Sequence, residues 1–245
     1  MHKITLENPY DIAAFRDAAR GLLAAEVSPV KVMWIAGDEE GLFDALRLPR
    51  GEPVPVPAAF VPLAGDVICH SDSERLALLY QLLWRLTHGE RTLLSVAADP
   101  LMHRLLAMQK AVRREIHKAH AFVRFRCVEG EDGEHYVAWF EPQHRILDRI
   151  APFFTGRFPS MRWSILTPIG SLHWDGAALT HGPAVPKTEA PENDALEDWW
   201  RSYYRAAFNP SRANPRMMAA PLDAERASPE AGLGFGAATI RVEAR

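Results

Sequence analysis

The spacing of apolar positions changes several times along the chain, and each change marks an element. The run ITL at Ile4–Leu6, the segment DIAAFRDAARGLLAAEV with apolar residues at three- and four-residue steps, and the run KVMWIA predict strand, amphipathic helix and strand. Residues 37–62 then shift toward Gly and Pro, with Pro49, Pro53, Pro55, Pro57 and Pro62. Proline lacks an amide donor and breaks helix interiors, so a surface connection is expected there.

Ser71 and Glu74 stand at capping-box spacing before LALLYQLLWRL, which is apolar on nearly every face and so predicts a buried helix. After Asp99-Pro100, Leu105, Met108, Val112, Ile116 and Ala119 form the core stripe of a second strong helix. The period then falls to two: FVRFRCV and HYVAWF flank the acidic turn EGEDGE and predict a hairpin. RILDRIAPFF predicts a short helix ending near Pro152, and RWSILTP, SLHWD and ALTHG predict three strands joined at Gly170 and Gly176. Asp194 and Glu197 repeat the capping spacing before a last helix whose apolar face holds Leu196, Trp199, Trp200, Tyr203 and Ala207. From Asn214 to Arg245 no period is sustained, and a poorly ordered tail is expected.

The fold class these elements predict is α+β: helices packed on a mostly antiparallel sheet, with a small N-terminal β-α-β unit. Residues 1–212 form the domain, comprising the unit and its Pro-rich connection over 1–62 and the main body over 63–212. Residues 213–245 form the tail.

Composition narrows the function classes. With 48% hydrophobic and 24% charged residues in 245, the chain is globular in composition. Its start, MHKITLENPY, has no apolar signal core, and no stretch of 18 apolar residues occurs, so a cytoplasmic protein without a membrane partner is expected. Cys69 and Cys127 stand far apart, so thiolates alone supply neither a disulfide framework nor a metal cage. His117 and His120 are three apart with no acidic third ligand at a familiar distance, and no metal and no cofactor is expected. GxSxG, a Walker loop and GxGxxG are missing, so no catalytic motif is recognised.

Charge is distributed unevenly. Met1–Asp99 carries nine Lys/Arg against fourteen Asp/Glu, whereas Leu101–Arg126 carries seven against one, within a net charge of −3. Opposite the core stripe of the second helix lie Lys110, Arg113, Arg114, His117 and Lys118, and the following strand places Arg124 and Arg126 on one face and Val123 and Phe125 on the other. Such a helix-strand patch can grip successive phosphates. On pattern alone, a solvated polar face is the commoner outcome. The tryptophans offer base-stacking surfaces if exposed, Trp174 beside Asp175-Gly176 foremost, although most are expected in the core. His173 and Asp175 flank Trp174, and in a strand they would share a face, with the carboxylate orienting the imidazole.

KAVRREIHKAHAFVRFR, YVAWFEPQHRIL, APFFTGRFPSMRWSILTP, HWDG and EDWWRSYYRAAFNPSR together resemble a specific family. It is the domain of unknown function found N-terminal in UdgX-type uracil-DNA-glycosylase-like proteins, and also alone as a probable DNA-metabolism or DNA-repair protein encoded beside a radical-SAM protein. The resemblance spans roughly Leu6 to Arg212. The fused members continue beyond the Asn209-Pro210 motif into a glycosylase domain with iron–sulfur thiolates and a His-Pro-Ser motif. This chain has neither, and Gly51-Glu52-Pro53 is too short to stand for the water-activating motif.

The resemblance implies a DNA-repair accessory protein that binds DNA or a repair partner, either a radical-SAM protein or a glycosylase-like protein. The patch residues Lys110, Arg113, Arg114, His117, Lys118, Arg124 and Arg126 would make the contact, joined by Arg162, His173 and Trp174. Two alternatives stay open: a nucleotide- or base-directed enzyme using His117, Arg162, His173 and Asp175 and active only with its partner, and a protein adaptor with no DNA contact.

Overall fold

The computed structural model describes residues 1–36, 51–130 and 133–186. The last helix, with Trp199 and Trp200, and the tail lie outside the described residues. The fold is mixed α+β, and it divides into two compact units, the first over Met1–Arg113 and the second starting at Arg114.

In the first unit, β1 (His2–Leu6) pairs in parallel with β2 (Val32–Ala36), in register from His2 opposite Val32 to Leu6 opposite Ala36. Between them runs α1 (Ile12–Ala24), capped by Asp11, whose Oδ1 accepts from the Ala13 amide at 2.7 Å. This is the expected β-α-β unit. α1 buries Phe15, Ala19, Leu22 and Leu23. Gly51 lies against its back: a Cβ there would fall 2.3 Å from the Arg20 carbonyl oxygen, so the GEP segment has a packing reason for its glycine.

The connection gives way to helix earlier than expected. α2 (Phe60–Val67) includes Pro62, which its first turn tolerates because amides there have no partner inside the helix. α3 (Arg75–Thr87) buries Leu76, Leu79, Tyr80, Leu82, Leu83 and Leu86. The expected Ser71/Glu74 capping box does not form. Instead, Asp72 Oδ1 accepts from the Glu74 amide at 2.8 Å, and the buried Arg75 guanidinium donates to the carbonyls of Ile68, Asp72 and Pro9.

α4 (Pro100–Phe122) starts as the Asp99-Pro100 pair predicts: Asp99 Oδ1 accepts from the Leu101 and Met102 amides, and proline fills the first position. Leu105, Met108, Val112 and Ala119 are buried and Ile116 is half-buried, so the stripe is real.

The second unit holds a five-stranded sheet in the order β3 (Arg126–Gly130), β4 (Gly133–Trp139), β5 (Trp163–Thr167), β6 (Gly170–Trp174) and β7 (Leu179–Gly182). All pairs are antiparallel except β4–β5, which α5 (Leu147–Arg157) connects as a crossover. The β-turns are made at Gly170 and Gly176, where φ is +147° and +101°.

α5 does not end at Pro152. The helix carries the proline in its interior, and it forgoes one backbone hydrogen bond because Ile150, Ala151 and Phe154 on either side of the break are buried. That face meets Trp163 of β5, with the Phe154 and Trp163 ring centroids 6.0 Å apart. The opposite face of the sheet carries a cluster of Val128, Val137, Leu166 and Val185, with Trp139 packed against it. No helix among the described residues is long and apolar enough to cross a membrane.

Candidate nucleic-acid interface

The basic run of α4 is sorted by its partners. Among the seven cations of Leu101–Arg126, Arg104 pairs with Asp72 and Glu74. Arg113 donates Nε–H to Asp66 at 2.6 Å; its own side chain is 58% exposed, but that of Asp66 is only 1% exposed. Gln109 donates to the same Asp66 oxygen at 3.0 Å. The sequence placed Arg113 on the solvent face, and there it is, yet its charge compensates a buried carboxylate. Lys110, also in the first unit, is exposed.

In the second unit, Arg114, His117 and Lys118 recur at three- and four-residue steps and are exposed. Beyond the helix, Val123 is buried and Phe125 half-buried, while Arg124 and Arg126 are exposed, as the alternation required. The strand, however, begins only at Arg126. Arg124 belongs to the lead-in, where its guanidinium donates to the Ala121 and Val123 carbonyls at 2.6 and 3.1 Å and so closes the helix C-terminus. Cations near that end also meet the negative pole of the helix dipole.

The only acidic residue of the run is engaged by backbone amides. Glu115 accepts from the Gln143 and His144 amides at 2.6 and 2.8 Å, fastening α4 to the loop before α5. Its half-buried carboxylate is thereby engaged by backbone amides, and Arg114, His117, Lys118 and Arg126 have no ion-pair partner among the described residues.

The remaining expected site residues are placed differently. Arg162 is half-buried just before β5, and its carbonyl accepts from the Tyr136 amide. Trp174 is half-buried, with its indole N–H donated to the Pro159 carbonyl at 3.0 Å. Asp175 caps its own turn by accepting from the Ala177 and Ala178 amides, each at 2.7 Å, and does not orient His173.

His173 is buried, on the sheet face away from α5, in a chain of hydroxyls and imidazoles. Ser171 Oγ donates to the Pro183 carbonyl at 3.0 Å and lies 2.9 Å from His173 Nε2. His173 Nδ1 lies 2.7 Å from Ser164 Oγ, which is 2.9 Å from His135 Nε2. A carbonyl only accepts, so polarity follows along the chain. Ser171 gives its proton to Pro183 and accepts from His173 Nε2–H; the bare His173 Nδ1 accepts from Ser164, which in turn accepts from His135 Nε2–H.

Both rings are held neutral. Burial, with the Arg162 charge nearby, pushes His135 down to about 4, and burial, with His135 and His181 nearby, pushes His173 down to about 3. Gly182 makes the room: a Cβ there would fall 2.5 Å from Ser171 Oγ and 2.7 Å from His173 Nε2. Sequence spacing alone points to none of this, because the partners come from three strands.

Sequence reasoning also missed Phe122, at the end of the cationic stripe and 69% exposed. Among the described residues, no group of three or more His, Cys, Asp or Glu side chains is arranged to hold a metal ion. A model of one family, described as "Domain of unknown function (DUF4130)", matches residues 73–224, more than half of the chain. No curated protein and no solved structure gives a significant match.

Proposed function

The chain belongs to the DUF4130 family, and from that premise we propose that it is a cytoplasmic DNA-repair accessory protein that binds DNA through the cationic surface of α4 and β3. It would work alongside a radical-SAM or glycosylase-like repair protein. One observation carries the reading: Arg114, His117, Lys118 and Arg126 are exposed, while Glu115, the one carboxylate among them, is held by backbone amides. A surface whose cations lack ion-pair partners and whose one carboxylate is held by amides suits a polyanion, whatever the net charge of the chain.

The enzyme reading has less support, because His173 is buried and Asp175 caps its own turn. Fluorescence-anisotropy titration of the full chain against labelled DNA at several salt concentrations tests the proposal. Binding whose logarithm falls linearly with the logarithm of salt supports it. An absence of binding at low salt, with nuclease-insensitive capture of a repair protein, supports the adaptor instead.

A further inference from the structure

We infer that the α4 surface takes single-stranded nucleic acid in preference to duplex, with Phe122 as a base-stacking platform; this rests on the nucleic-acid reading above. Successive turns of α4 present Arg114, then Lys118, then Phe122, each about 6 Å further along the axis. Four-residue steps keep all three on one side, so a flat ring follows directly on two cations. Phe122 is 69% exposed, an unusual state for a phenylalanine in a helix of such strong stripe.

A second ring is fixed on the other side of α4, since His120 stands two residues, or about 160° around the axis, from both Lys118 and Phe122. Phe153 of α5 is 40% exposed and stacks on His120 with centroids 4.0 Å apart and planes 18° from parallel. Phe154 meets Phe153 edge-on at 5.2 Å, so the ring is clamped in one orientation and does not need ordering on binding. Burial, with His117 nearby, lowers the His120 imidazole below its ordinary value. That side of the helix is an aromatic stack, whereas Arg114 and Lys118 share their side with Phe122.

Two cations followed by an exposed ring on one side of the helix match what an unpaired strand offers, namely a line of phosphates with splayed bases. A duplex keeps its bases stacked inside and leaves exposed rings nothing to cover, so it engages the cations alone.

The test is titration of the full chain with a labelled thymidine 20-mer and with a duplex of the same length, using wild type, Phe122→Ala, Phe122→Tyr, and the double variant Arg114→Ala/Lys118→Ala. Phe122→Ala should weaken single-strand binding about 5- to 150-fold, which is ~1–3 kcal/mol for one stacked base at ~1.4 kcal/mol per tenfold. Its salt slope and duplex affinity should stay at wild-type values. Phe122→Tyr keeps a ring and should retain single-strand affinity. The double variant should lose affinity for both ligands and flatten both slopes.

Equal binding of strand and duplex, or a strand preference that survives Phe122→Ala, overturns this inference and leaves the nucleic-acid reading standing. Binding of neither ligand at low salt overturns both. Thermal melts establish that each variant is folded, which the exposure of Phe122 leads one to expect.

Discussion

Arg113 and Asp66 stand 47 residues apart in sequence and meet at 2.6 Å, an exposed guanidinium closing over a buried carboxylate. Adjacent in sequence, Arg113 and Arg114 therefore have different work, and substitution should separate them. Arg113→Ala removes the ion pair to a buried carboxylate, and should cost about 1–3 kcal/mol of stability. Arg114→Ala touches no buried group and should fall within about 0.5 kcal/mol of wild type. Urea melts of the two single variants decide the matter; equal effects would mean that the Asp66 pair contributes little.

Removing three cations that lack ion-pair partners should weaken DNA binding without unfolding the chain. For Arg114→Ala/Lys118→Ala/Arg126→Ala, the slope of log affinity against log salt should fall by about 2–3 if each cation neutralises one phosphate. Arg113 is left in place so that a loss of binding is not confused with a loss of structure. An unchanged slope with an unchanged melt would show the surface to be merely solvated.

The buried imidazoles set an acid sensitivity with a defined sign. Their ordinary value is 6.5, and the fold lowers His135 to about 4 and His173 to about 3. Between those limits the unfolded chain binds more protons than the folded one, so their contribution is complete above about pH 6.5 and is lost as pH falls toward 4 and then 3. His181 acts oppositely, raised chiefly by its hydrogen bond to Asp148, and its stabilisation is present in acid and lost as pH rises through its raised value. Burial of two rings against one partly exposed pair makes the net trend destabilising in acid. Melts from pH 7.5 to 4.5 should show a falling Tm, and His135→Gln, which keeps a donor but cannot titrate, should flatten the fall. A Tm that is level across this range would contradict the relay.

Gly182→Ala should break the same network by volume alone. The new methyl would sit 2.5 Å from Ser171 Oγ and 2.7 Å from His173 Nε2, and small-to-large insertion of this kind costs about 1–3 kcal/mol. Ser171→Ala in the Gly182→Ala background removes one clashing atom and should recover part of that cost. Additive losses in urea melts would place the strain elsewhere.

Local pattern carried the elements well and their partnerships poorly. The stripe Leu105, Met108, Val112 and Ala119, the Asp99-Pro100 start and the hairpin were all legible, because each depends on neighbours within a few residues. Pro152 misled because the burial of Phe154 and Ile150, which keeps α5 going past the proline, is tertiary. Arg124 was legible as exposed but not as a helix cap. His173 was read against Asp175, its neighbour in sequence, whereas its partners are Ser164, opposite it in register on β5, and Ser171. Long-range ion pairs such as Arg113 with Asp66 leave no spacing to find. Of the candidate surface, the alternation did locate Arg114, His117, Lys118 and Arg126, but it was silent on Phe122, since a helix-terminal phenylalanine reads as core.

The single parallel pairing in an otherwise antiparallel sheet should set the order of assembly. β5, β6 and β7 are joined by tight turns at Gly170 and Gly176, so their contacts close short loops quickly. β4 reaches β5 only after the whole of α5 intervenes between Trp139 and Trp163, and this longer loop must be closed before its hydrogen bonds are gained. The C-terminal meander should therefore form the nucleus, with β4 and its hairpin partner β3 docking late. In chevron experiments, substitutions at the Gly170 and Gly176 turns would slow refolding, whereas those at the Tyr136–Trp163 pairing would mainly hasten unfolding. The edge that carries Arg126 would then be the last part of the sheet to assemble and the first to let go.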